Sequence, residues 1–185
     1  MAYSLGLVLT NECNLTCAHC YRPPDGVHRF SLEDVRRICE SIPVASVNLG
    51  TGENGLHPDF NAITEHLLSR GIRTSLTTNG YTVQMMPDAL VRSLAEVEFS
   101  FDFPTPAEQD AFRGPGAWDL AMRAVARCKA MVSVSGYLIG SQEIGKMPLP
   151  PKAALEWWYQ YYFATERGRA GYLPIGERNV RRNQP

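Results

Sequence analysis

The sequence predicts an α/β protein, a partial TIM-like (β/α)6 barrel of parallel strands. Two observations carry this. Short apolar segments of strand length alternate with longer segments of helical period, the pattern of βαβ units joined into a parallel sheet. The cysteine-, glycine- and asparagine-rich runs each follow directly on a strand segment. Right-handed crossovers would gather those strand ends on one face of a barrel, where barrels of this kind place their chemistry.

The elements follow in order. Gly6–Thr10 (GLVLT) reads as a buried strand. Ser31 is an N-cap with an acidic residue three positions on, Asp34, and Leu32, Val35, Ile38, Cys39 and Ile42 then recur at helical spacing. Ala45–Leu49 is a second strand, and Pro58 to Ser69 a helix carrying Phe60, Ile63, Leu67 and Leu68, closed by Gly71. Ile72–Leu76 is a third strand, Pro87 to Leu94 a short helix, and Val97–Phe101 a fourth strand. Ala117 to Ala130 suits a helix with Ala121, Ala124, Val125 and Cys128 on one side, and Met131–Ile139 a fifth strand. Pro151 opens a further short helix, and Gln160–Ala164 reads equally as a sixth strand or as its continuation.

Composition narrows the function. The chain has 185 residues, 44% of them hydrophobic and 20% charged, which suits one globular domain over residues 1–185. A net charge of −1 argues against a nucleic-acid partner. Its apolar runs are too short to cross a bilayer, and the first residues lack the basic start of a secretory signal. The cytoplasm is the expected location, with thiols kept reduced.

The densest chemical signal is Cys13, Cys17 and Cys20, spaced C-x3-C-x2-C directly after the first strand. Three soft thiolates within eight residues call for a soft metal centre. A cubane iron–sulfur cluster ordinarily takes four thiolates, so a triplet leaves one iron open to a non-protein ligand. Zinc with His19 or His28 as a fourth ligand is an alternative, and a disulfide is disfavoured by the odd cysteine count. Cys39 and Cys128 fall on apolar helix faces and read as core residues. The aromatic run Trp157 to Tyr162 and the arginines near the end read as packing and as a solvated tail.

The cysteine run resembles that of the radical SAM superfamily, and the likeness extends from about Leu5 to Gly140. Gly50-Thr-Gly-Glu-Asn54 stands where that family carries a Gly-Gly-Glu-Pro-like motif, with Thr51 and Asn54 as departures. Thr77-Thr-Asn-Gly80, Ser100-Phe-Asp102 and Gly136-Tyr-Leu-Ile-Gly-Ser-Gln-Glu143 are similar to motifs after or on the next strands. The resemblance implies a 4Fe–4S cluster on the three cysteines and S-adenosylmethionine (SAM) chelating its open iron. It implies cofactor contacts from Gly50, Gly52, Glu53, Asn79, Ser100, Asp102 and Leu138, with Arg113 a lesser candidate. Glu53 would meet the amino group, strand-four residues would lie near the ribose and carboxylate, and the segment at Leu138 would pack on adenine.

The implied reaction is reductive cleavage of SAM to a 5′-deoxyadenosyl radical that abstracts hydrogen from a substrate. Its partners would be a flavodoxin- or ferredoxin-type electron donor and a peptide or small cofactor precursor. The cysteine loop, Thr77-Thr-Asn-Gly80 and Ser100-Phe-Asp102 look most like the peptide- and cofactor-maturation branch, here without cysteines for an accessory cluster. An activase for a glycyl-radical enzyme and a non-catalytic metal-binding module are the alternatives.

Overall fold

Side-chain alternation splits the sheet of this protein into two unlike faces. The computed structural model describes residues 2–17, 20, 26–103, 105–132 and 134–138, the last four by their backbone alone. In chain order the elements are β1 (Tyr3–Leu7), α1 (Leu32–Ser41), β2 (Val44–Leu49), a single 3-10 turn (Asn54–Leu56), α2 (Phe60–Ser69) and β3 (Arg73–Thr78). They continue with α3 (Tyr81–Met85), α4 (Asp88–Ser93), β4 (Glu96–Phe101), α5 (Pro106–Arg113), α6 (Ala117–Cys128) and β5 (Val134–Leu138).

The strands lie in the order β1-β2-β3-β4-β5, and each adjacent pair is parallel. A doubly wound sheet reverses its strand order at a switch point. Here the order never reverses, so right-handed crossovers stack the helices on the same side and curl the sheet into a barrel wall. Burial agrees with this. Val47, Leu49, Leu76, Val97, Phe99 and Phe101 face the helices and are buried among Val35, Ile63, Leu67, Ala121 and Ala124. Phe101 meets Trp118 of α6 edge to face, with centroids 5.4 Å apart.

The alternate positions form the other face, and they are polar and half-exposed: Ser46, Asn48, Ser75, Thr77, Glu98 and Ser100. They bond to one another along the strand register. Thr77 Oγ1 donates to Glu98 Oε2 at 2.7 Å, and Asn48 Nδ2 donates to Ser75 Oγ at 3.1 Å. Cross-strand neighbours on a parallel sheet lie close enough to make such rows.

Helix starts follow the local chemistry. Ser31 and Asp34 form a complete capping box at α1, each accepting the other's backbone N–H. Thr105 caps α5, which has a proline in its first turn.

Several expectations shift. The first strand lies three residues earlier than Gly6–Thr10, because β1 pairs with β2 from Tyr3 to Leu7. Leu9 and Thr10 pair instead with Phe30 and Arg29, closing the cysteine loop. The fifth strand starts later than Met131, since that residue is held in the turn that ends α6 by its N–H to Cys128 O at 2.8 Å. The short helices α3 and α5 carry too few apolar repeats to stand out. The expected helix from Pro151 and strand Gln160–Ala164 lie outside the described residues. Among the described residues no helix is long and apolar enough to cross a membrane.

The two faces of β4 make a direct comparison. Phe99→Ala is expected to destabilise by about 3–5 kcal/mol in a denaturant titration, and neighbouring Ser100→Ala by less than about 0.5 kcal/mol.

Candidate functional site

The cysteine loop is a closed structure with its own stem. Asn11 N donates to His28 O at 3.2 Å, His28 N donates back to Asn11 Oδ1 at 2.8 Å, and Phe30 N donates to Leu9 O at 2.9 Å. Glu12 clasps Arg29 through both carboxylate oxygens, at 2.7 and 2.8 Å. That bond holds the Glu12 carboxyl below its usual range. Within the loop, Leu15 N donates to Cys13 Sγ at 3.4 Å, and Cys20 N donates to Cys17 O at 3.0 Å, folding the last two cysteines into one turn. None of the three cysteines is in a disulfide, and all are half-buried.

The loop after β2 docks directly on this structure. Thr51 sits at φ 61 and Gly52 at φ 68, both left-handed. A β-branched residue in that region is strained. Gly52 is there because nothing else fits: an added Cβ would stand 2.2 Å from the carbonyl oxygen of Thr10 and 2.7 Å from that of Glu12. The next N–H, of Glu53, then donates to Glu12 O at 2.6 Å. Gly50 closes the strand itself, its N–H on Leu7 O at 3.3 Å.

Glu53 is 1% exposed, and its carboxylate turns into the segment after β3. It accepts the hydroxyls of Thr78 and Thr82, Asn79 N at 2.9 Å and Thr82 N at 2.8 Å. Burial raises its pKa, and these four donors pull the other way. Glu53 thereby braces the loop after β2 against the segment after β3.

Asn79 is buried at the meeting point. Its Oδ1 accepts from Tyr81 N at 3.0 Å, and its Nδ2 donates to Asn14 Oδ1 at 2.8 Å and to Cys13 Sγ at 3.5 Å. On the other side of the loop, Asp102 at the end of β4 forms a buried ion pair with Arg113 of α5. Arg113 Nη1 lies 4.0 Å from Cys17 Sγ. Burial pushes the Cys17 thiol up, and the Arg113 guanidinium opposes that. Gln109 locks this corner: its Oε1 accepts Asp102 N at 2.9 Å and Phe103 N at 3.1 Å, and its Nε2 reaches Ser100 O at 3.1 Å.

The structure therefore gathers Cys13, Asn79, Glu53 and Gly52 on one side and Cys17, Arg113 and Asp102 on the other. Ser100 lies on the polar sheet face, half-buried. Leu138 ends β5 opposite Phe101 in register. Sequence reading did not reach Gln109, whose only local signal is a polar residue within a short helix. Thr78 falls within the Thr77-Thr-Asn-Gly80 motif, but nothing in the sequence marks it or Thr82 as a donor to Glu53. Among the described residues no three His, Cys, Asp or Glu side chains stand close enough together to hold a metal ion as they are. Asp102 Oδ1 and both polar atoms of the Asn54 side chain are buried without a hydrogen-bond partner among the described residues. Cys39 and Cys128 lie in the core, where burial pushes the Cys128 thiol up to about 11.

This parallel barrel wall, with a three-cysteine loop clasped at its strand ends, defines a class. The sequence profile of the Radical SAM superfamily matches residues 7–143, and the chain belongs to that superfamily. It is 32% identical over 131 residues to the mycofactocin maturase MftC of Mycobacterium tuberculosis, covering 66% of this chain and 33% of that protein. It is 38% identical over 96 residues to a GTP 3′,8-cyclase of Aeromonas hydrophila, covering 44% of this chain and 28% of the cyclase. The chain thus matches about a third or less of these relatives' lengths. In fold it is similar to methylornithine synthase, with a TM-score of 0.57 at 13% identity over 73% of this chain and 44% of that one. It is likewise similar to Streptococcus suis SuiB bound to SAM, with a TM-score of 0.54 at 14% identity over 92% of this chain and 48% of that one.

The strained pair after β2 makes a two-way test. Thr51→Gly is expected to stabilise by about 1 kcal/mol, by removing a left-handed β-branched residue. Gly52→Ala is expected to destabilise by more than the ~1–3 kcal/mol that such a conformation costs alone, because its overlap is with backbone that only loop movement relieves. Thermal or denaturant unfolding of both variants measures this.

Proposed function

We propose that this chain forms the core of a radical SAM enzyme that holds a 4Fe–4S cluster on Cys13, Cys17 and Cys20 and uses SAM to modify a peptide or cofactor precursor. The observation that carries the reading is the convergence of the cysteine loop with the loops after β2 and β3 and the end of β4, through Glu53 N to Glu12 O, Asn79 to Cys13 and Arg113 to Cys17. The donor set fits the group. Three half-buried cysteines outside any disulfide are what a cubane with one open iron takes from a protein. Cluster loading has to draw the three thiols together, and the Cys17–Cys20 turn already brings two of them within electrostatic reach.

When bound, the cluster and SAM supply one-electron cleavage and hydrogen abstraction; the chain's own residues bind and orient. The left-handed turn at Thr51 and Gly52 keeps the backbone of the loop after β2 against the cysteine loop, where its carbonyls offer acceptors to an ammonium. Asp102 Oδ1, buried and unpartnered among the described residues, is an acceptor that a ligand hydroxyl would satisfy. Ser100 and the half-exposed Asn48, Thr77 and Glu98 give the sheet face polar groups toward substrate. Glu53 serves by bracing two loops. Leu138, at the end of β5, is proposed to lie along the adenine.

The substrate class draws on two names, the mycofactocin maturase and, at 27% identity over 114 residues, the subtilosin biosynthesis protein AlbA of Bacillus subtilis. The match to the GTP cyclase favours a second reading, a nucleotide substrate. The electron donor is of flavodoxin or ferredoxin type, acting in the cytoplasm.

Anaerobic reconstitution is expected to give a cubane EPR signal on reduction and cleavage of SAM under dithionite. Replacing Cys13, Cys17 and Cys20 together by Ala should abolish both, and a retained cluster in that variant would overturn the assignment. Replacing Cys39 and Cys128 by Ser should leave iron per chain at the single-cubane value. A loss of about half the iron would instead reveal a second cluster.

A further inference from the structure

We propose that Asn79 and Arg113 are positioning residues that set the reduction potential of the cluster, each by directing a donor at a different ligand sulfur. This rests on the cluster assignment above.

Asn79 is fixed in a single orientation. Tyr81 N donates to its side-chain oxygen at 3.0 Å, so its amide nitrogen must face the other way. One amide hydrogen goes to Asn14 Oδ1 at 2.8 Å and the other to Cys13 Sγ at 3.5 Å. The residue is 5% exposed, and its backbone N–H is anchored on Glu53 Oε2 at 2.9 Å. The side chain cannot swing away from the sulfur without breaking these bonds.

Arg113 is fixed by a separate set of contacts. Its Nε bonds Asp102, which is 0% exposed and itself held by Gln109, and its Nη1 lies 4.0 Å from Cys17 Sγ. Its guanidinium is a planar cation whose second nitrogen remains available beyond the bond to Asp102. Asp102 offsets part of that charge, and it is the guanidinium's Nη1 that reaches toward Cys17 Sγ.

Electrons added to an iron–sulfur cluster spread onto its sulfurs. An N–H donor or a cation at a ligand sulfur stabilises the more negative, reduced state and raises the potential. The two devices reach different cysteines from different elements, Asn79 from the turn after β3 and Arg113 from α5. Their effects should therefore add.

The test is an EPR-monitored redox titration of anaerobically reconstituted protein without substrate, comparing wild type with Asn79→Ala, Asn79→Ser, Arg113→Met, Arg113→Lys and the Asn79→Ala/Arg113→Met double variant. The midpoint is expected to shift downward in Asn79→Ala and in Arg113→Met, to shift less in Arg113→Lys, which keeps the charge but not the fork, than in Arg113→Met, and to fall by about the sum in the double variant. Unchanged midpoints in cluster-loaded Asn79→Ala and Arg113→Met overturn the proposal. So do equal shifts in the Met and Lys variants, or loss of the cluster from both variants at either position, which would mark that residue as a purely structural support. A wild-type chain that takes up no cubane refutes the cluster assignment instead, and iron content separates that result from the others.

Discussion

One buried carboxylate sets the terms for the rest of this site. Taking Glu53 out of water is costly unless its oxygens are satisfied. The fold satisfies them with two hydroxyls and two backbone N–H groups from the five-residue stretch Thr78 to Thr82. Those donors lie at one point only if the chain turns sharply after β3, so the turn and the carboxylate specify each other. The same residue's N–H holds Glu12 O, which ties in the cysteine loop. Three loops that share no sequence neighbourhood are thereby held through one side chain and its backbone. The strain at Thr51 is then intelligible, because the loop has to turn left-handed to deliver Glu53 inward while Gly52 passes against Thr10 O.

The opposite flank uses a buried ion pair for a different purpose. Such pairs add little net stability, since desolvation offsets most of the attraction. The Asp102–Arg113 pair instead fixes a direction: Gln109 orients the backbone at Asp102, Asp102 orients the guanidinium, and the guanidinium ends beside Cys17. Removing either partner would leave an uncompensated charge in the interior.

Much of the plan was readable in the residues, and the unreadable part has a common cause. Alternation and helical period reveal which way a residue faces, so the strands, the capping box at Ser31 and the core thiols Cys39 and Cys128 followed from local pattern. Partner choice across the fold is not local. Leu9 and Thr10 are as strand-like as Leu5 and Leu7, and only their pairing with Phe30 and Arg29 removes them from β1. Glu53 and Asn79 stand out by position in a motif, but nothing in the motif tells that one bonds the turn carrying the other. Gln109 gave no signal because its value lies wholly in three long-reach bonds.

The division of the sheet into an apolar and a polar face has a consequence for how such a protein diversifies. On the helix side, Phe99, Leu76 and Leu49 are bounded by volume, and a change at one is felt by its neighbours. On the other side, Ser46, Asn48, Ser75, Thr77 and Glu98 fill no interior, and their exchange alters hydrogen-bonding character without reopening the packing problem. The wall behaves like a board whose back is glued and whose front can be relabelled. Lineages descended from one such core can revise what lies over the strands, a few polar residues at a time, while inheriting the cysteine loop and its braces intact.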